Sequence, residues 1–165
     1  MALTAESITT TALDILSRYG LGDLSMRRLA RELEVQPSAL YWHVKDKQSL
    51  LILISRSLKA EVDTLCPGAA DPLAAAMSLR EVLLKYRDGA EIMLLGYSID
   101  PAEVTPQALT ADRLGAELSQ GILTLTLGAV AVEQNRRLFE VDPADAAENF
   151  AANAAHLLRS ARTQR

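Results

Sequence analysis

The stretch Leu24-Ser25-Met26-Arg27-Arg28-Leu29-Ala30-Arg31-Glu32-Leu33-Glu34-Val35-Gln36-Pro37-Ser38-Ala39-Leu40-Tyr41-Trp42-His43-Val44-Lys45-Asp46-Lys47 decides the fold. Ser25 is a side-chain cap for a helix, and Leu24 and Leu29 occupy the two positions of a hydrophobic staple. Leu29, Ala30 and Leu33 form the apolar face, which turns Arg27, Arg28 and Arg31 outward. Pro37 suits the first position of the next helix, because the N–H it lacks has no partner there anyway. That helix is short, roughly 37–44. Leu40 and Val44 share its inner face, so Ser38, Tyr41 and His43 point outward. Two helices joined by the link Glu34-Val35-Gln36, the second polar and aromatic on its outer side, make a helix-turn-helix.

Around this core the chain reads as all-α. Ile8, Ala12, Leu13, Ile15, Leu16 and Tyr19 recur at helical spacing over 5–19, with Thr4 as N-cap and Gly20 as stop. Asp46 caps a fourth helix from Lys47 toward Asp63, with Leu50, Leu51, Ile54 and Leu58 on its buried stripe. These spans divide the chain into a helix-turn-helix domain at 1–47, a connecting helix at 48–66 and a helical body at 67–165. In the body, 72–86 is helical, Asp88-Gly89 breaks it, and 90–95 adds a turn or two. Residues 100–106 read as a polar loop with two prolines. A helix resumes over 107–118, Gly121 interrupts it, and 122–139 is long and apolar. Leu123-Thr124-Leu125-Thr126-Leu127 alternates like a strand, but no second strand exists for it to pair with, so it is assigned to helix. Asp142-Pro143 opens a last Ala-rich helix to about 162.

The chain has 165 residues, 49% hydrophobic and 23% charged, enough for a real core and too apolar for gross disorder. Its longest uncharged stretch in the second half, 118–132, is 15 residues, short of the about 20 a membrane-spanning helix needs. With no signal-peptide pattern and a single cysteine, Cys66, the expectation is a cytoplasmic protein without disulfides and without membrane contact. The net charge of −4 at first argues against nucleic acid, but its distribution matters more. Residues 1–47 hold six basic and six acidic side chains, so the whole deficit lies in the body.

A helix fits the DNA major groove, where side chains reach base edges and flanking cations hold phosphates. On this ground Ser25, Arg27, Arg28, Gln36, Pro37, Ser38, Tyr41, Trp42, His43, Lys45 and Lys47 are the candidate DNA contacts. Trp42 has a second reading, packing against the fourth helix, and His43 has a purely structural one.

The run Leu24 to Leu33, with Ala39-Leu40-Tyr41-Trp42-His43-Val44-Lys45-Asp46-Lys47 and Leu50-Leu51, resembles the DNA-binding domain of TetR-family repressors. The Leu-Tyr-Trp-His-Val-Lys-x-Lys string is close to that of the tetracycline repressors. Tyr86-Arg87-Asp88-Gly89-Ala90 and Leu127-Gly128-Ala129-Val130 with Glu133-Gln134 are similar to segments of the same repressors' ligand-binding domain. The resemblance implies an all-helical homodimer on double-stranded DNA with a palindromic operator, released when a small-molecule effector enters the C-terminal domain. Carried over by position, DNA contact falls on Arg27, Pro37, Ser38, Tyr41, His43 and Lys47. The turn carries Glu34 where the family usually has Gly, so it must be built without glycine's freedom at positive φ. Gln36-Pro37-Ser38 also departs from the tetracycline repressors, so their operator is not transferable. The chain is shorter than the family pattern between Leu114 and Ile122 and after Phe139.

The same resemblance speaks to the effector. The His that holds a magnesium–drug chelate falls on Met93, a second drug-contacting His on Asp63, and the acidic residue assisting the metal on Val132. A thioether does not serve Mg²⁺, so no tetracycline–magnesium response, and no metal or cofactor, is expected. Met77, Leu84, Met93, Leu94, Tyr97, Leu123 and Leu127 are the candidates to line an effector cavity, plain core being the alternative for each. The helix at 122–139 and the last helix, rich in Ala with Leu157 and Leu158, carry more apolar surface than one small domain needs. Dimerisation through a four-helix bundle is the expected use of it.

Catalysis finds little support. His43, His156 and Cys66 lie far apart in sequence, and there is no Gly-rich phosphate loop or metal-ligand spacing. The other alternative is an all-helical adaptor whose helix-turn-helix binds protein. The outward cations argue instead for phosphate. The regulatory mechanism expected is a population shift, in which effector binding moves the fourth helix and with it the separation of two reading helices.

Overall fold

The computed structural model describes residues 3–67 and 71–163, the last two of them by backbone alone. Every regular element among the described residues is helical. In chain order they are α1 (Ala5–Tyr19), α2 (Met26–Glu32), α3 (Pro37–His43), α4 (Lys47–Leu65), α5 (Pro72–Leu84), α6 (Gly89–Ile99), α7 (Pro101–Val104), α8 (Ala111–Leu114), α9 (Ala116–Leu138) and α10 (Ala146–Thr163). Short 3-10 turns at Leu21–Asp23 and Gln107–Leu109 punctuate them. The expected linker after Pro67 falls largely on 68–70, outside the described residues.

α1, α2 and α4 start where capping chemistry puts them. Thr4 and Ser7 close a capping box, Ser7 N–H donating to Thr4 Oγ1 at 3.1 Å and Thr4 N–H to Ser7 Oγ at 2.9 Å. Ser25 Oγ accepts from Arg28 N–H and Asp46 Oδ1 from Ser49 N–H, satisfying N–H groups that helix geometry leaves orphaned. Leu24 and Leu29 are both fully buried, as a staple requires.

The turn between α2 and α3 is a Schellman motif. Val35 N–H bonds to Ala30 O and Glu34 N–H to Arg31 O. That pattern demands a left-handed residue, and Glu34 takes φ 56 in place of the expected glycine. The turn is therefore not built around the missing glycine; a glutamate is forced into glycine's conformation. The end of α9 repeats the arrangement, with Glu140 at φ 56 and Val141 N–H on Arg136 O.

Several boundaries in the body differ from those the sequence suggests. The 100–106 loop contains α7, because Asp100 caps it from Glu103 N–H and Pro101 stands at its first position, so this proline starts a helix. The 107–118 helix is broken twice, by extended Thr110 between the 3-10 turn and α8 and by Gly115 at φ 90 between α8 and α9. Gly121 does not interrupt; α9 runs straight through it. Ile122, Leu123, Thr126, Leu127 and Val130 of that helix are buried, and burial outweighs the about 1 kcal/mol an internal glycine costs. The alternating Leu-Thr stretch is helical as assigned, with Thr126 Oγ1 donating to Ile122 O. α6 is longer than expected, reaching Ile99, and α10 begins at Ala146 after a turn through Asp142-Pro143.

α4 ties the molecule together. It packs against α1 on one side and α5, α6 and α7 on the other, with Leu50, Ile54, Leu58 and Val62 at its buried face. Polar contacts fix its register: Ser55 Oγ donates to Ile92 O at 3.1 Å, Arg56 pairs with Glu103, and Asp63 accepts from Lys59 Nζ at 2.6 Å and Gln107 N–H at 2.8 Å. Deeper in the body Glu133 of α9 receives Arg80 of α5 and Arg137 of its own helix.

Glu34 gives a direct test of local strain. A left-handed conformation costs an L-residue about 1–2 kcal/mol, part of which glycine loses again through the entropy of the unfolded chain. Glu34→Gly is expected to raise stability by up to about 1 kcal/mol, read as a higher midpoint in urea denaturation. An unchanged or lower midpoint would show that the turn stores no strain.

Candidate nucleic-acid interface

α1, α2 and α3 form a head in which the short α3 is held by one face. Leu40 and Val44 are buried, and α3 packs on α2. Apart from the partly buried Ala39, the rest of α3 is offered to solvent. Gln36, Pro37, Ser38, Tyr41, Trp42 and His43 are exposed, as are Lys45 and Lys47 just beyond it. Trp42 is 90% exposed, so the reading in which it packs against α4 is excluded. Tyr41 lies beside it at 47%. An indole and a phenol left in water on the same helix are an unusual expense for a monomeric surface unless they meet a partner.

The cations flanking α3 divide into two kinds. Arg27 and Arg31 are exposed on the outer side of α2. Arg28, expected to point outward with them, is turned into the head instead. Its guanidinium lies 3.7 Å from the centroid of the Tyr19 ring, its Nη1 donates to Asp23 Oδ1 at 2.6 Å, and its side chain is only 18% exposed. Arg28 thus fastens α2 to the end of α1. Ser25 is exposed, but its hydroxyl oxygen is already engaged as the α2 cap. At the start of α4 the Ser49 N–H holds the Asp46 carboxyl below its ordinary value, so it stays ionised between the two lysines.

The candidate effector-lining residues are not brought together. Met93, Leu123 and Leu127 are buried in the core, Met77 is half-buried, and Leu94 is half-exposed on the surface. Leu84 lines a cavity of about 330 Å³ with Tyr86, Arg87, Asp88, Gln134 and Arg137. Tyr97 lines a separate one of about 490 Å³ with Thr105, Thr110, Ser119 and Gln120. The positions where the resemblance puts a magnesium chelate do not fit that ion. Met93 brings a thioether, Val132 is an exposed aliphatic, and both Asp63 carboxylate oxygens are already engaged.

A groove of about 440 Å³ runs between α9 and α10, lined by Leu125, Gly128, Ala129, Val132 and Phe150 among others. Val132, Leu138, Phe139 and Val141 are exposed around it or at the end of α9.

Two sets of contacts that bear on the site join residues far apart in the sequence, and spacing does not reveal them. Asp88 Oδ2 accepts from Leu21 N–H at 2.7 Å, linking the body to the turn after α1. Gln134 of α9 donates to Leu83 O and Tyr86 O. Both Asp88 and Gln134 lie in segments that resemble the repressors' ligand-binding domain, but spacing alone shows Asp88-Gly89 as a helix break and gives Gln134 no partner.

A head of three short helices with a solvent-exposed aromatic and basic third helix, carried on a larger helical body, defines a helix-turn-helix DNA-binding regulator. Residues 8–54 match the model of the bacterial regulatory proteins, tetR family. Over 164 residues the chain is 34% identical to the tetracycline repressor protein class D of Escherichia coli, covering 90% of this chain and 75% of that protein. BioQ, solved with its double-stranded DNA operator, superposes with a TM-score of 0.77 at 26% identity, over 97% of this chain and 98% of that one. ActR of Streptomyces coelicolor in complex with (S)-DNPA gives 0.74 at 26% identity, over the whole of both chains. The chain belongs to the TetR family of DNA-binding transcriptional regulators.

The division between Arg27 and Arg28 is testable. Arg27→Ala is expected to flatten the salt dependence of DNA binding by nearly one unit in log K against log[salt], the effect of one phosphate contact. Arg28→Ala should leave that slope unchanged and lower stability by about 1 kcal/mol, through the lost ring contact and ion pair. Anisotropy titrations at several salt concentrations, with urea denaturation of both variants, separate the two roles; a slope change in Arg28→Ala would make it a phosphate contact after all.

Proposed function

We propose that the protein is a homodimeric repressor that sits on a palindromic operator and is released by a small molecule other than a tetracycline–magnesium chelate. The observation that carries this reading is the outer face of α3. Tyr41, Trp42 and His43 stand in solvent with Ser38 and Gln36 at the helix start and Lys45 and Lys47 at its end. Laid in a major groove, that face puts Gln36, Pro37, Ser38, Tyr41 and His43 toward bases, with Arg27, Trp42, Lys45 and Lys47 toward the backbone. Arg28 serves by holding α2 in place. BioQ, which shares the fold, was solved on its operator, and that supports double-stranded DNA as the partner.

Two heads reading one palindrome must stand about 34 Å apart, one turn of DNA. The apolar groove between α9 and α10 is the surface that supports a dimer. Its lining of Leu125, Ala129, Val132 and Phe150 suits a four-helix bundle with the same two helices of a second copy. Small-molecule control is supported by ActR, solved with (S)-DNPA. The Leu84 and Tyr97 cavities are the places in this chain for such a molecule, which acts only to the extent that it prefers one head separation over another. Met93, Asp63 and Val132 argue against the magnesium chelate.

Fluorescence anisotropy against the DNA upstream of its own gene, at two salt concentrations, tests the reading. The expected result is salt-sensitive binding of two protomers per palindrome, with no release by tetracycline and magnesium. Tyr41→Ala should weaken binding by about tenfold or more while leaving the dimer intact, and Val132→Glu should dissociate the dimer in sedimentation velocity. Salt-insensitive binding, or none to that DNA or to any sequence selected from random duplexes, would favour a protein-binding adaptor instead.

A further inference from the structure

Two junctions join the reading head to the body. One is α4, entered through Val44–Asp46, with α1 of the head packed on its buried stripe. The other is a contact between two turns that lie 67 residues apart in sequence, in which Asp88 Oδ2 accepts from Leu21 N–H at 2.7 Å. Both sides of this second junction are shaped for it. On the head, Gly20 sits at φ 81, and a Cβ added there would stand 2.7 Å from Asp88 Oδ2 and 3.0 Å from Arg87 Nε. On the body, Asp88 takes the left-handed conformation at φ 59, and Gly89 backs so closely on Leu83 that a Cβ would overlap its carbonyl oxygen.

The turn that carries Asp88 is itself bolted down. Gln134 of α9 donates from Nε2 to Leu83 O at 3.2 Å and Tyr86 O at 2.8 Å, and its Oε1 accepts from Ala90 N–H at 3.3 Å. Asp88 stands at the N-cap position of α6 without capping it, so the carboxylate is spent on the head and not on its own helix. The α4 stripe seats the head along one helix, and a second contact away from that helix limits rocking about it; a hydrogen bond to a carboxylate is among the stronger ones available.

We propose that Asp88 is a positioning residue for operator reading: its carboxylate, clasped to Leu21 N–H beside Gly20, fixes the angle of the head on the body. The clasp acts in parallel with α4, so movement of α9 or of the α5–α6 turn reaches the head without passing along α4. This inference rests on the two-headed reading of a palindrome proposed above.

Asp88→Gly and Asp88→Asn both tolerate the left-handed conformation, and only the second retains an acceptor oxygen. Each variant is titrated by anisotropy against the full palindrome and against a single half-site at the same salt, and Leu21 amide exchange is followed by NMR. Asp88→Gly is expected to lose roughly tenfold or more on the full palindrome, and less than about twofold on the half-site, since each head still reads DNA. Its Leu21 amide should exchange faster, and Asp88→Asn should recover most of the full-site affinity. Equal losses on both duplexes would mark a damaged head, and no loss on the palindrome would mark an idle contact; either overturns the proposal. A wild-type protein that binds neither duplex overturns the two-headed reading instead. In that event an unchanged Leu21 exchange rate in Asp88→Gly overturns the clasp independently.

Discussion

The buried stripe of α4, with Leu50, Ile54, Leu58 and Val62, serves two cores at once, since the helix packs on α1 of the head and on α5, α6 and α7 of the body. Most of the other arrangements follow from that sharing. A helix with one apolar stripe cannot rotate between two partners without exposing side chains worth roughly 1.5–3 kcal/mol each, so head and body are set relative to each other by the same residues that build them. The polar pins along α4, Ser55 to Ile92 O, Arg56 to Glu103 and Asp63 to Gln107 N–H, add register to that constraint. Sliding the helix by one residue would break all of them together.

The reading face owes its exposure to the same economy. α3 is only seven residues long and is held in place by Leu40 and by Val44 at its C-cap, both buried. A helix so short would not persist alone in water. It stands because α2 lies against it and the Schellman turn at Glu34 sets the angle between them. Arg28 contributes from beneath, trading a possible contact with phosphate for one with the Tyr19 ring and Asp23. The neighbouring arginines thus do different work: Arg27 and Arg31 present charge, and Arg28 keeps the helix that presents them in place.

The body is built with less local instruction. Its glycines act in opposite ways: Gly115 at φ 90 ends α8, while Gly121 lies inside α9 without effect on it. Nothing in their immediate neighbours distinguishes them. The difference is that α9 is a long helix with a buried face and Gly121 sits under Leu157 of α10, whereas Gly115, at φ 90, ends one helix and begins the next. Asp100-Pro101 likewise reads as a loop by composition and starts a helix in fact, because an aspartate cap and an N1 proline are also helix-starting chemistry.

The all-helical class, the helix-turn-helix, the caps at Thr4, Ser25 and Asp46 and the outward face of α3 were legible in the residues alone. These rest on interactions spanning four residues or fewer, and such interactions leave their mark in spacing. The sequence also puts a methionine, Met93, at the position where the resemblance places the magnesium-holding histidine of the tetracycline repressors. Only the tertiary structure decided that Glu34 would take glycine's conformation, that Arg28 would turn inward, that Gly121 would be spanned, and that the proposed cavity residues would scatter between core and surface. It alone joined Asp88 to Leu21 and Gln134 to the α5–α6 turn. Those outcomes depend on which surfaces meet across tens of residues of chain, and a side chain's neighbours at that range are fixed by the packing of whole helices rather than by anything written beside it.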